Sequence, residues 1–236
     1  MGFKPIKSNK IYEQVIDQIR ELIYEGELKK GDKLPSEREL KEQLNVSRAS
    51  IREAFSALEM IGLIESRPGE GTFIRDNTDK NLLKPLSLIL LLQENVAEEL
   101  VELRRVLEVD CVRLAAKRAT EEELDKMNKY LDELANSSGF ETESIESDKN
   151  FHYTIASASK NKVLYYVMVS ISEAMDFHIK NTRTKLVSRQ STMENFVKQH
   201  RKIFAAIKSS DDKKAMEEMD NHLTYVEKLI NREIEG

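Results

Sequence analysis

Apolar residues recur every three or four positions from Lys10 to Glu25, where Ile11, Val15, Ile19, Leu22 and Ile23 share a face, and Gly26 is placed to end the helix this predicts. Gly31 to Pro35 reads as a turn. It leads into Ser36-Glu-Arg-Glu39, a capping box in which Ser36 bonds the Glu39 amide and Glu39 reaches back to Ser36, so a second helix is expected to about Leu44. After a short Asn45-Val46 turn, Ser47 caps a third helix that runs through Ile51, Ala54, Phe55 and Leu58 to Met60 or Ile61. Beyond Gly62 the period changes. Leu63 to Arg67 and Thr72 to Arg75 are short extended runs joined by Pro68-Gly-Glu-Gly71, the pattern of a β-hairpin.

A polar stretch follows, and then the chain holds one proline, Pro85, and one glycine, Gly139, before its last residue. Helices are expected near 82–93, 95–118, 121–136, 142–159, 161–186, 189–208 and 212–233, with Thr120 and Glu123 as one cap and Ser137-Ser138-Gly139 as a break. The fold class that results is mainly α. A winged helix-turn-helix over 8–76, α with a small β-hairpin, is joined by a linker at 77–81 to an all-α antiparallel helical bundle over 82–233.

Composition narrows the setting. The longest apolar stretch, Leu82 to Leu92, is broken by Lys84, Pro85 and Ser87 and is about half the ~20 residues of a membrane span. The first residues lack a signal-peptide core, and the one cysteine, Cys111, cannot form an intrachain disulfide, so a reducing cytoplasm is expected. Net charge is −5, and residues 1–75 carry 13 basic and 13 acidic side chains. Bulk charge therefore gives no argument for nucleic acid, and the case must rest on individual arginines.

In a winged helix-turn-helix the second helix of the pair enters the major groove N-terminal end first, which assigns the reading role to Ser47 to Ile61. Arg48 and Arg52, four residues apart, share the face opposite Ile51, Phe55 and Leu58, where their guanidiniums can contact guanine edges or phosphates in bidentate fashion. Ser47 and Ser50 lie in the first turn, where hydroxyls and free amides can hold a phosphate. Arg38 can do the same from the preceding helix, and the wing tip Arg67-Pro-Gly-Glu-Gly71 makes Arg67 a minor-groove probe. Each arginine taken alone also reads as an ordinary solvated charge.

The C-terminal helices put polar residues on apolar stripes. These read Ile145, Asp148, His152, Ile155, Ser159 in one helix, then Met193, Phe196, His200, Ile203, Ile207, and then Met219, His222, Val226, Leu229. A buried charge is costly unless paired or metal-bound, and three helices that each direct a histidine or carboxylate inward point to one shared centre. Three histidines and an aspartate suit a divalent ion, zinc first and nickel or manganese as alternatives. The other reading of a stripe histidine is a hydrogen-bonded core residue, which His178, with Ile171 and Met175, exemplifies. Spacing leaves both readings open.

The stretch Gly31-Asp-Lys-Leu-Pro-Ser-Glu-Arg-Glu-Leu, then Val46-Ser-Arg-Ala-Ser-Ile-Arg-Glu-Ala, Gly62-Leu-Ile and Pro68-Gly-Glu-Gly-Thr-Phe-Ile resembles the GntR family of bacterial regulators. That resemblance implies DNA contacts by Arg38, Arg48 and Arg52, supported by Ser47, Ser50 and the wing from Gly69 through Gly71 to Thr72. Glu102-Leu-Arg-Arg-Val-Leu-Glu108, Ala115-Ala116, Asp148-Lys-Asn-Phe-His152, Asn161, His200 and His222-Leu are similar to the FCD ligand-binding domain of the FadR subfamily, within which regulators of lactate utilisation are the nearest in kind. Many members bind a metal at the positions matching Asp148, His152, His200 and His222, and their usual effectors are small organic acids. The fatty-acyl-CoA regulator that names the subfamily lacks this set, which argues against acyl-CoA here. Arg104, matching the arginine of the family's Glu-Leu-Arg segment, is the expected effector guanidinium, with Asn161 and Arg183 as further candidates; its other reading is an intrahelical pair with Glu108.

The expected function is a homodimeric repressor on double-stranded operator DNA, released by a small organic acid at the metal centre. Two rivals are a metal-dependent hydrolase fused to a DNA-binding module and a regulator whose metal is purely structural. The hydrolase would need an acid or base beside the metal, as in a His-Glu-x-x-His helix, and no such motif occurs.

Overall fold

In the computed structural model, residues 10–76, 89, 92, 96–136, 142–187 and 190–235 are described. The expected linker at 77–81 and nearly all of the helix expected near 82–93 lie outside them. The chain divides into two compact units, Met1–Lys84 and Pro85–Gly236.

In the first unit, helix α1 (Ile11–Tyr24) has no side-chain cap and stops at Gly26, whose φ of 77° favours glycine. Helix α2 (Glu37–Leu44) starts at the expected capping box: the Glu39 amide donates to Ser36 Oγ at 3.3 Å, and the Ser36 amide donates to Glu39 Oε2 at 2.8 Å. Asn45, left-handed at φ 51°, ends it. Helix α3 (Arg48–Met60) is capped by Ser47, whose hydroxyl accepts from the Ser50 amide at 3.1 Å. Strands β1 (Ile64–Arg67) and β2 (Gly71–Ile74) pair antiparallel with Ile64 opposite Ile74 and Arg67 opposite Gly71. Val15, Ile19, Leu34, Leu40, Ile51, Phe55, Leu58, Ile64 and Ile74 make the core.

The Gly31–Pro35 turn does more than was expected of it. Lys33 bridges Phe73, the Leu34 amide donates to Thr72 O at 2.8 Å and the Ile74 amide to Asp32 O at 2.8 Å, so the segment lies along the free edge of β2 and buries Leu34. Five residues are too few to show a strand's alternation, which is why sequence periodicity did not mark it.

The second unit is helical among its described residues: α4 (Ala97–Arg118), α5 (Glu121–Asn136), α6 (Thr142–Ala158), α7 (Lys162–Val187), α8 (Gln190–Lys208) and α9 (Asp212–Glu235). These match the expected spans to within about two residues. Helix α4 packs against α6, α7, α8 and α9 and is central to the unit. It buries Leu100, Val101, Glu108, Cys111, Val112, Ala115 and Ala116, which share one broad face of the helix. Phe151, Ile155, Met168, Ile203, Met219 and Leu223 close the main core around it. Removing any one of these from water is worth roughly 1.5–3 kcal/mol. No helix among the described residues is long and apolar enough to cross a membrane.

Candidate functional site

The reading helix α3 buries Ile51, Ala54, Phe55 and Leu58 and leaves Arg48 and Arg52 exposed on the other face, as an amphipathic helix must. Arg52 Nε donates to Glu37 Oε2 of α2 at 3.1 Å, while Arg38 pairs with Glu42 along α2 at 3.4 Å. Ser47 and Ser50 hydroxyls lie 2.9 Å apart at the start of α3. Arg67 sits in β1, beside the wing tip and not at it. It donates to Glu65 Oε1 at 2.6 Å and lies over the Phe73 ring, 4.4 Å from its centroid. At the tip, Gly69 and Gly71 have φ of 78° and 117°, and a Cβ on Gly71 would meet Lys33 Cε at 2.8 Å, so both glycines are required by the turn. Thr72 follows in β2, half-buried.

In the second unit, α6, α8 and α9 bring His152, His200 and His222 together with all three buried, and one ring nitrogen of each lies within 4.8 Å of the others. His152 Nε2 is 3.0 Å from His200 Nε2, and Asp148 Oδ1 is 3.2 Å from His200 Nε2 and 3.9 Å from His152 Nε2. Each ring's far edge is held by an acceptor. His152 Nδ1 donates to the Glu108 carboxylate, His200 Nδ1 to Phe196 O at 2.7 Å, and His222 Nδ1 to Gln199 Oε1 at 2.8 Å. With their protons committed outward, the three Nε2 lone pairs converge. Burial holds His200 down to about 4, against the opposing charge of Asp148, and burial with the neighbouring rings holds His222 well below the usual histidine range.

Glu108 is the residue that spacing did not single out as part of the centre. It is 1% exposed, and it binds both Arg104 Nε and His152 Nδ1. Burial alone would push its carboxyl up, but the Arg104 charge and the hydrogen bonds from His152 and Arg104 hold it at about 2. The available signal was a carboxylate on the apolar face of α4, one turn before Val112 and two before Ala115. Gln199 carried no such signal, because its role exists only where α8 meets α9.

His152 also forms part of the wall of a small cleft, with Arg104, Lys149, Tyr153, Ser172, Met175 and Asp176. Arg104 makes the intrahelical pair with Glu108 and also faces the cleft. Asn161 does not reach the cleft wall: its Oδ1 accepts the Val163 and Leu164 amides at 3.1 and 3.3 Å, so its side chain caps α7. The side chains of Arg183 and His178 lie outside the described residues.

Residues 11–74 match the family model "Bacterial regulatory proteins, gntR family", and residues 99–225 match the FCD domain. The chain is 33% identical to the HTH-type transcriptional regulator LutR of Bacillus subtilis over 89% of its own length and 96% of that protein's. It is 32% identical to an Escherichia coli protein named as an L-lactate dehydrogenase operon regulatory protein, over 94% of this chain and 87% of the other. A solved GntR structure from Streptococcus agalactiae superposes with a TM-score of 0.64 at 27% identity, covering 92% of this chain and 99% of that one. With its α3 reading helix and wing in one unit and its FCD domain in the other, the chain belongs to the gntR family of bacterial regulatory proteins and is a DNA-binding transcription regulator, not an enzyme.

Proposed function

We propose that this regulator is a homodimeric repressor whose hold on operator DNA is weakened when a small carboxylic acid binds beside a divalent metal ion in the FCD domain. The observation that carries the reading is the convergence of three buried histidine nitrogens, each ring held by an acceptor at its Nδ1, with Asp148 Oδ1 3.2 Å from His200 Nε2. A proton shared between His152 and His200 joins two of the rings; a metal ion takes all three at once, with Asp148 beside them. Donor atoms about 2.1 Å from a common ion stand about 3.0–3.4 Å apart in tetrahedral or octahedral arrangements; the 3.0 Å His152–His200 and 3.2 Å Asp148–His200 separations suit this, and the 3.9 Å between Asp148 and His152 is wider.

The ion would be held by Asp148, His152, His200 and His222, with zinc the first choice for an imidazole-rich set and nickel or manganese the alternatives. When bound, it supplies Lewis-acid attraction for an oxygen ligand. The chain's own residues do the rest. Glu108 orients the His152 ring, Phe196 O and Gln199 orient the other two, and Arg104 offers a guanidinium on the cleft wall beside His152. The relationship to a protein named for an L-lactate dehydrogenase operon favours a lactate-like acid.

At the DNA, Arg38, Arg48 and Arg52 make the contacts, assisted by Ser47, Ser50 and the wing through Gly69, Gly71, Thr72 and Arg67. Arg52 must exchange Glu37, and Arg38 must exchange Glu42, for DNA groups. Both are exposed pairs, and such pairs cost only about 0–1 kcal/mol to break. Coupling between acid and operator need not be large, since tenfold in occupancy is about 1.4 kcal/mol.

The test has two arms. Zinc-loaded protein is expected to be stabilised by L-lactate in a thermal-shift assay, and EDTA or His200→Ala should abolish the shift. In gel-shift titrations with an operator fragment, Arg48→Ala and Arg52→Ala should each weaken binding at least tenfold, and lactate should weaken the wild type. Stabilisation by zinc with no response to any carboxylic acid would mean a structural ion, and unchanged DNA affinity in both arginine variants would refute the reading helix.

A further inference from the structure

The cleft beside the histidine cluster is walled by two helices that face each other with matched spacing: Lys149 and Tyr153 one turn apart on α6, Ser172 and Asp176 one turn apart on α7. Lys149 Nζ donates to Asp176 Oδ2 at 2.5 Å, and the Tyr153 hydroxyl hydrogen-bonds Ser172. Glu146 also approaches Lys149, at 3.8 Å, but it is 60% exposed and its charge is screened by solvent.

Both cations on the cleft wall are therefore already matched, Arg104 by Glu108 and Lys149 by Asp176. These two pairs cancel. With a divalent ion on three neutral histidines and Asp148, the ion's two charges against the one of Asp148 leave a single positive charge for a ligand. A second carboxylate entering this cleft would meet Asp176 with no unmatched cation to receive it, and like charges in a half-buried site repel strongly.

We infer that Asp176, by holding Lys149, restricts the effector cleft to small acids bearing one carboxylate, with the Tyr153–Ser172 pair placed to contact a neutral polar group such as a hydroxyl. The inference rests on the proposed effector site. It makes Asp176 a specificity-determining residue that rejects an extra charge without touching the carboxylate that is accepted. A pair that served only to tie α6 to α7 would influence stability but not the choice between ligands.

The ligands that separate these roles are L-malate and 2-hydroxy-4-methylpentanoate, which have the same 2-hydroxy acid head and nearly the same shape and differ by one charge, together with L-lactate. Isothermal titration of each into full-length, zinc-loaded protein is expected to show malate binding at least tenfold weaker than lactate in the wild type. In Asp176→Asn, malate should tighten at least tenfold, lactate should change less than threefold, and 2-hydroxy-4-methylpentanoate should not gain. Asp176→Asn with Lys149→Met should lose the malate gain again. Asp176→Ser carries the same expectation should the amide variant fail to fold. If lactate binding is intact and EDTA-sensitive but the malate-to-lactate ratio is the same with and without Asp176, the inference is wrong and the effector site stands. If the wild type binds none of the acids, the effector site itself is refuted, and the inference with it.

Discussion

At the scale of single residues, the chemistry of the candidate centre depends on groups one bond removed from it. Glu108 accepts from His152 Nδ1 and thereby keeps Nε2 bare on the inner side, while its second partner, Arg104, keeps the carboxyl ionised within a buried surrounding. Glu108→Gln retains the shape but can present its NH2 to the ring and so favour the wrong tautomer. The expected result is a 10–100-fold loss of zinc affinity, the usual cost of removing such a partner, read by competition with a chromophoric chelator. Zinc affinity equal to wild type would show that the ring is oriented by packing against Phe151 instead.

Individual elements show where spacing along the chain was informative. Capping boxes and amphipathic stripes act over three or four residues, so α2, α3 and α5 could be placed from local chemistry alone. Helix α4 could be placed but not oriented, because its buried face carries Arg104 and Glu108 while Leu103 and Val106 stand exposed on the opposite face. Asn161 has a local role that spacing did not reveal. On the chain it is a polar residue in a matched segment, whereas in the fold its side chain satisfies two amides that α7 would otherwise leave unpaired. Asn161→Ala should therefore cost about 1 kcal/mol of stability in denaturant titration, the value of an N-cap, and leave lactate affinity within threefold. A large loss of affinity with stability unchanged would restore the effector role.

For the whole molecule, the two units divide the charge as they divide the work. Residues 1–75 are neutral overall and the acid excess lies in the remainder, so DNA affinity depends on a few exposed arginines and not on a general attraction. The buried ionisable groups of the FCD domain make its stability depend on pH in one direction. His200, lowered from 6.5 to about 4, stays neutral in the fold while the unfolded chain takes up a proton between those values; Glu108, lowered from 4.5 to about 2, behaves alike in its own lower range. In both cases the unfolded state binds more protons, so stability rises with pH through these windows and is lost on acidification. Chelated protein should show a melting temperature that falls as pH is lowered from about 6.5 towards 4, and further below 4.5. A melting temperature flat from pH 7 to 4 would contradict a neutral, buried His200.

What the sequence determined by itself was whatever operates within one turn of chain: the caps, the apolar stripes, the reading helix with Arg48 and Arg52 outward, the glycines of the wing, and the inward bearing of Asp148, His152, His200 and His222. Tertiary structure alone decided which residues from separate helices meet. It brought His152, His200 and His222 together with Asp148 beside His200, set Glu108 and Gln199 behind two of the rings, paired Lys149 with Asp176 across two helices and laid Leu34 along the wing. The reason is physical: periodicity reports which face of an element avoids water, while a partner contributed by another element leaves no periodic trace in the chain.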